Sequence, residues 1–427
     1  MNFVYENLSK RLNFIECNDY SSMNHPRFSS SPAANKIVAN FFQYEKKKFN
    51  DFIIPTGVNH HPNDWTSGEF STRSITSCLS HLSNDYLTDI QERRALLLFD
   101  QTLEGYQTPW LWEYLHKDCN DYGVNPCSII FITGNLLAAA QYKSWADSNQ
   151  LVHRINVFSY PIFESDVYCR SKEDKISNNF NFYFNYKKEN QHSIKTFDCL
   201  QKRLRSHRLW LYQYLFEANL INDGLISMNP FYNNEYQRYG GWMQGRQLEL
   251  ERVKLSNEIL PLLIDGQNNN KFDDGYYIKR ICQSTYMNSW VSVVSEASFA
   301  DDENTLFLSE KTFKPITCMQ PFIIFGNRGS LKQLRERGYK TFDGFIDESY
   351  DDLPTFERLD AVIQSIKKVS EIKDKLDWYR SMKDILVHNY KTLKANSTKP
   401  DTSFKKIEEY YLQYFNLSNT PLTKVNR

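Results

Sequence analysis

The residues whose types and spacing could do chemistry lie mostly in three short segments of the second half of the chain. The first runs from Lys195-Thr-Phe-Asp-Cys-Leu-Gln201, which reads as a strand, into a helix that opens with Lys202, Arg203, Arg205 and Arg208 at or near its N-terminus. Cations avoid that end of the helix macrodipole unless an anion lies there. A diphosphate satisfies both the dipole and the guanidinium groups, with Arg giving bidentate contacts. Lys195, Arg205 and Arg208 are therefore read as anion-binding; the bland alternative is a solvated basic face. The second segment is Val294-Ser-Glu-Ala-Ser298, where Glu296 and Ser298 stand at the end of a buried strand. A carboxylate there accepts hydrogen bonds from ribose hydroxyls, or else caps the following loop. The third is Leu308-Ser-Glu-Lys-Thr-Phe-Lys-Pro-Ile316. Ser309 is a good N-cap and Glu310 suits the first turn, whereas Lys311 and Lys314 do not. Glu310 can hold ribose hydroxyls while Lys311 neutralises phosphate; the alternative is an ordinary helix start with an exposed ion pair. Pro315 predicts a kink, because it removes an amide donor.

The first half offers a base. Asp100-Gln-Thr-Leu-Glu104-Gly105 follows a strong strand at its carboxyl end. A hydroxyl that attacks an electrophile must give up its proton, and a positioned carboxylate takes it. Glu104 is the first candidate and Asp100 the second, against the reading that they merely cap a strand and a helix. His60-His61-Pro-Asn-Asp64 lacks further ligands at zinc spacing, so His60 and His61 are assigned to acceptor binding or to structure. Asn135 and Tyr160 end adjacent strands and are assigned to the acceptor-side lining of a cleft. No Asp-x-Asp, Gly-x(4)-Gly-Lys-Ser/Thr, Gly-x-Gly-x-x-Gly or Gly-x-Ser-x-Gly occurs. The expectation is accordingly no metal and no cofactor, with ATPase, dehydrogenase and serine-hydrolase chemistry losing support.

The elements that must position these residues show a repeated alternation. Buried apolar runs at 94–100, 128–134 and 154–160 alternate with helical spacing at 110–115 and 136–145. A polar stretch at 164–194 reads as a connection. The alternation then restarts with strands at 195–201, 290–295 and 321–325 and helices at 204–220, from Ser309, at 331–337 (closed by Gly338) and at 354–369; 372–395 and 403–415 read as helical tails. Strand–helix alternation of this kind makes parallel sheets. The expected fold is α/β, with two Rossmann-like doubly wound domains facing a cleft and C-terminal helices. The expected boundaries are 1–190, 191–375 and 376–427. The 427 residues carry 51 basic and 51 acidic side chains, so there is no global field to gather nucleic acid or an anionic membrane. The eight cysteines are scattered with no Cys-x-x-Cys, and no run of 18 apolar residues occurs. No secretion signal is seen, which points to the cytoplasm.

The second half resembles the α-1,3-fucosyltransferase family over roughly residues 195–330. Arg208-Leu-Trp-Leu-Tyr212-Gln-Tyr-Leu215 matches its Arg-x(3)-Tyr-x(2)-Leu element, Glu296-Ala-Ser298 part of its Phe-Glu-Asn-Ser, and Ser309-Glu-Lys311 before Gln320-Pro-Phe-Ile-Ile324 its Thr-Glu-Lys helix start. The resemblance implies a GT-B glycosyltransferase fold and transfer of a sugar from a nucleotide-sugar donor to a hydroxyl acceptor. It implies that Arg208 and Lys311 contact the pyrophosphate and Glu310 the ribose. Phe307 stands where the family has Tyr, Ala297 where it has Asn, and the spacing upstream of Arg208 departs from the family's Asn-x(5)-Arg, which leaves the donor's base and sugar open. The whole chain is also similar to glycosyltransferase-like proteins of large DNA bacteriophages. That similarity implies the host cytoplasm, with a hydroxylated base of phage DNA, or a glycan, as acceptor. The rival readings are a non-catalytic nucleotide-sugar or structural binding protein, and a nucleic-acid-processing enzyme whose 202–208 cluster binds phosphodiester.

Overall fold

A computed structural model describes residues 52–57, 79, 84–102, 105, 111–201, 205–228, 242–243, 246–248, 253, 256–262, 280–297, 299, 305–398 and 402–415. The chain divides into two compact units, Met1–Ile162 with Lys399–Arg427, and Phe163–Thr398.

The first unit holds a four-stranded sheet of β1 (Phe52–Gly57), β2 (Ala95–Gln101), β3 (Ile129–Thr133) and β4 (Asn156–Ser159), in that order and parallel throughout. Ala95–Phe99 and Ile129–Ile132 are all buried, because both faces of the sheet are covered. One face carries the helices α1 (Asn84–Gln91), α2 (Leu111–Asp121) and α3 (Ala138–Ser148). Their Ile90, Leu111, Leu115, Ala138 and Tyr142 pack with Leu97, Phe99 and Phe131. The last described helix of the chain also belongs to this unit, its Tyr410 hydroxyl donating to Cys127 O and its Tyr414 hydroxyl bonding Ser128 Oγ at 2.7 Å, just before β3.

The second unit opens with two helices, α4 (Ile162–Glu173) and α5 (Phe180–Asn190). Its sheet contains β5 (Lys195–Gln201), β6 (Gly224–Met228), β7 (Ser289–Ser295) and β8 (Phe322–Phe325), all parallel, in the spatial order β8-β7-β5-β6. The helix α6 (Ser206–Glu217) connects β5 to β6, and α7 (Gln283–Met287) precedes β7. Then come α8 (Glu310–Thr317), α9 (Ser330–Glu336), α10 (Thr355–Ser370), α11 (Lys375–Ser381) and α12 (Lys383–Thr398); α13 (Thr402–Tyr414) is the helix that returns to the first unit. Gly338 follows α9 at φ +88°, a left-handed position that a side chain disfavours and glycine does not. Pro315 lies inside α8, which continues to Thr317. Among the described residues no helix is long and apolar enough to cross a membrane.

The unit boundaries differ from the sequence expectation. The break falls after Ile162, and not at 190/191, because the polar stretch 164–194 is two helices anchored in the second unit. Lys187, 0 % exposed, donates to the carbonyls of Tyr286 (2.9 Å) and Ser289, with its ammonium over the rings of Trp290 and Tyr379. Glu164 receives Arg337, Tyr339 (2.7 Å) and Asn396 (3.0 Å). The expected separate segment 376–427 is likewise divided, α11 and α12 belonging to the second unit and α13 to the first. Polar residues that close such internal networks look, in one dimension, like a linker. The edge strand β6 is not among the strands expected from the sequence, since five residues leave little periodicity to detect.

Candidate functional site

The strand order of the second unit reverses at β5. The chain passes from β5 to β6 on one side, then returns to place β7 and β8 on the other. Such a reversal leaves a crevice at the carboxyl ends of β5 and β7, where open α/β sheets take their ligands. Two helix N-termini reach that crevice, those of α6 after β5 and of α8 after β7.

Glu296, the residue after β7, joins both helices. Its carboxylate, 0 % exposed, accepts from Ser309 N (3.1 Å), Thr312 Oγ1 (2.5 Å), Ala297 N (2.9 Å) and Ser309 Oγ. Its backbone carbonyl accepts from Arg208 Nη2 and His207 Nε2, each at 3.0 Å. Arg205 donates to the next carbonyl, that of Ala297. Gly326, at the end of β8, leaves room for this arrangement, since a Cβ there would lie 3.0 Å from Glu296 Cβ and Cγ.

Cations gather around this joint. Arg205 is the N-cap of α6 and lends no side-chain cap; Arg208 is its third residue and is buried. Burial, and then neighbouring Arg205, lower the Arg208 guanidinium to about 10, while Glu310 and Glu296 act in the opposite sense. His207 is held well below its ordinary value by burial and then by Arg208 and Arg205, so the ring is neutral and its Nε2–H is the donor to Glu296. On α8, Lys311 Nζ meets Glu310 Oε1 at 2.5 Å. Burial raises the Glu310 carboxyl, but Lys311 and Lys314 outweigh it and bring the group down to about 2. Burial takes Lys314 down to about 8 against the pull of Glu310, and Arg170 and Asp166 of α4 act on it as well. Arg205, Arg208, Lys311 and Lys314 thus face Glu296 and Glu310, and each helix N-terminus adds roughly half a positive charge. Among the described residues these four cations outnumber the two carboxylates beside them, so that part of the crevice favours an anion.

Not every expected residue belongs there. Lys195 is the first residue of β5, at its amino end, and its ammonium donates to Asn222 O at 2.7 Å. Six residues of strand, about 20 Å, separate it from the crevice. Lys195 is removed from the site for that reason. Glu296 is also corrected: both its oxygens are occupied by four protein donors, which leaves it a brace with no capacity for ribose hydroxyls. Ser298, Glu104, His60 and His61 lie outside the described residues. In the first unit Asp100 is the penultimate residue of β2, and Asn135 and Tyr160 follow β3 and β4 at their carboxyl ends. Asn135 Oδ1 accepts from Leu137 N at 3.1 Å and so shapes the start of α3.

Sequence reading passed over His207, Thr312, Gln201 and Ser295. The first two were visible only as residues within a helix start; their partner is on another element. Gln201 Oε1 and Ser295 Oγ are buried with no hydrogen-bond partner among the described residues, a property no sequence displays.

Among solved structures, the chain is similar to an alpha,alpha-trehalose 6-phosphate synthase of Burkholderia multivorans, with a TM-score of 0.46 and 9 % identity over 88 % of this chain and 73 % of that one. It is similar to the E. coli trehalose-6-phosphate structure bound with UDP-2-fluoro glucose, at a TM-score of 0.42 and 12 % identity over 88 % and 76 %. It is also similar to a chain of the Gap123 glycosylation-associated complex of Streptococcus agalactiae, at 0.31 and 11 % over 87 % and 54 %. No protein-family model matches the chain, and no curated protein does.

Proposed function

We propose that this chain is a glycosyltransferase that moves a sugar from a nucleoside diphosphate sugar to a hydroxyl acceptor without a metal ion. The observation that carries the reading is the convergence of the α6 and α8 N-termini, with Arg205, Arg208, Lys311 and Lys314, on the carboxyl edge of β5 and β7. Breaking the bond between the sugar's anomeric carbon and the β-phosphate oxygen leaves negative charge on the diphosphate. Fixed cations and helix dipoles stabilise that charge as it develops. The acceptor oxygen forms the new bond to the anomeric carbon, and its proton passes to a carboxylate, Glu104 or failing that Asp100, with inversion. His60, His61, Asn135 and Tyr160 are the acceptor-side candidates, and the acceptor is a hydroxylated base of phage DNA or a glycan.

The test separates donor binding from chemistry. Arg208→Ala and Lys311→Ala each remove a charge-assisted contact of about 1.5–3 kcal/mol, so nucleotide affinity measured by calorimetry should fall roughly ten- to a hundredfold. Glu104→Gln should retain nucleotide binding and lose turnover by about a hundredfold or more. Turnover should persist in excess chelator. Unchanged nucleotide affinity in Lys311→Ala would sink the donor assignment; rescue of a chelated enzyme by Mn²⁺ or Mg²⁺ would sink its metal independence.

A further inference from the structure

Two polar atoms at the mouth of the crevice are sealed from water and meet no partner. Gln201, 0 % exposed, ends β5, and Ser295, 1 % exposed, ends β7. Gln201 Nε2 reaches Cys199 Sγ at 2.9 Å, but among the described residues Oε1 meets no hydrogen-bond partner, and neither does Ser295 Oγ. Whichever way the amide is turned, one of its polar atoms lacks a partner.

Their placement follows from the register. Asp198 stands opposite Ser292 and receives its hydroxyl at 2.7 Å, so these two side chains share one face of the sheet. Three residues further along each strand, Gln201 and Ser295 share the opposite face, since side chains alternate. The β5–β7 ladder ends at Asp198 and Ser292, whereas β5 stays paired to β6 as far as Gln201 and β7 to β8 as far as Ser295. The pair therefore flanks the place where the central strands cease to bond each other. The first turn of α6 lies close to it, the His207 ring being 6.3 Å from that of Phe325, which pairs with Ser295.

A buried polar atom without a partner costs stability, and use by a ligand is one reason for a protein to keep it. A carbonyl oxygen repels phosphate, so this pair does not extend the anion cradle. One hydroxyl meets both needs, donating to Gln201 Oε1 and accepting from Ser295 Oγ. We infer that Gln201 and Ser295 hold one sugar hydroxyl of the nucleotide-sugar donor, of the ribose or of the transferred hexose. The inference rests on the donor reading above and names the two residues that recognise a neutral part of the same ligand.

The experiment is calorimetry and thermal denaturation of Gln201→Leu, Ser295→Ala and Ser295→Thr with UDP, GDP and ADP, their 2′-deoxy forms and their glucose conjugates. Gln201→Leu and Ser295→Ala should melt no lower than the unaltered protein without ligand and bind the preferred conjugate about tenfold more weakly, because the hydroxyl they leave behind loses its partner. Ser295→Thr keeps the hydroxyl and should restore most of the affinity. A loss that disappears with 2′-deoxynucleotides assigns the hydroxyl to ribose; a loss confined to the conjugates assigns it to the transferred sugar. Unchanged affinity in both variants overturns the inference, and so does a lower unliganded melting temperature in both, since the atoms would then have partners within the protein. Failure of the unaltered chain to bind any of these nucleotides would instead overturn the donor reading itself.

Discussion

Glu296→Gln distinguishes a brace from a ligand-binding carboxylate. One carboxylate oxygen accepts from Ala297 N and Ser309 Oγ, and the other from Ser309 N and Thr312 Oγ1. In the amide variant, one of these positions becomes NH₂. The hydroxyls of Ser309 and Thr312 can rotate to accept from it, but a backbone N–H cannot, so either Ala297 N or Ser309 N is left facing a donor. A buried donor without a partner costs about 1–3 kcal/mol, and the surviving bonds lose the assistance of charge, giving roughly 2–4 kcal/mol in all. For a unit of this size each kcal/mol lowers the melting temperature by about 2–4 °C, so a fall of roughly 5–15 °C is expected without any ligand. Hydrogen exchange should quicken in the peptides covering Ser206–Glu217 and Glu310–Thr317, the two helices that the residue joins. Nucleotide affinity should fall too, as a consequence of the loosened crevice. A variant that melts like the unaltered protein yet loses nucleotide binding would refute the brace and restore Glu296 as a ribose ligand.

Two further outcomes follow from the same geometry. Lys195→Ala should leave nucleotide affinity unchanged by calorimetry, since the residue lies at the amino end of β5 and bonds Asn222; a tenfold loss would return it to the site. Asp118 on α2 is buried, with Oδ2 unpartnered among the described residues, and burial followed by neighbouring Asp121 raises its carboxyl to about 6. A carboxyl whose folded value lies above its unfolded value of about 3.9 opposes folding increasingly as pH rises from about 4 through 6. Asp118→Asn should therefore raise the melting temperature at pH 8 and do so less at pH 4.5, and the reverse ordering would contradict the burial argument.

Much of the scaffold was legible in the chain itself. Continuous apolar runs such as Ala95–Phe99 and Ile129–Ile132 mean strands buried on both faces, and their alternation with helices means parallel sheets, because a parallel pair requires a crossover. The helix starts at Ser309 and near Arg208 were legible as well, since caps and misplaced cations act locally. The role of Glu296 was not. Its carboxylate meets partners up to sixteen positions away and its carbonyl meets Arg208 across 88, which no local pattern encodes. Lys195 shows the same limit from the other side, a cation close in sequence to Arg205 but set apart by the length of a strand. The helices at Ile162–Glu173 and Phe180–Asn190 looked like a linker because Glu164 and Lys187 are charged. Only the tertiary structure supplies the carbonyls, the guanidinium and the aromatic rings that allow those charges to be buried. Sequence thus determined which elements form, through periodicity and propensity, while long-range hydrogen bonding decided which polar side chains brace the fold.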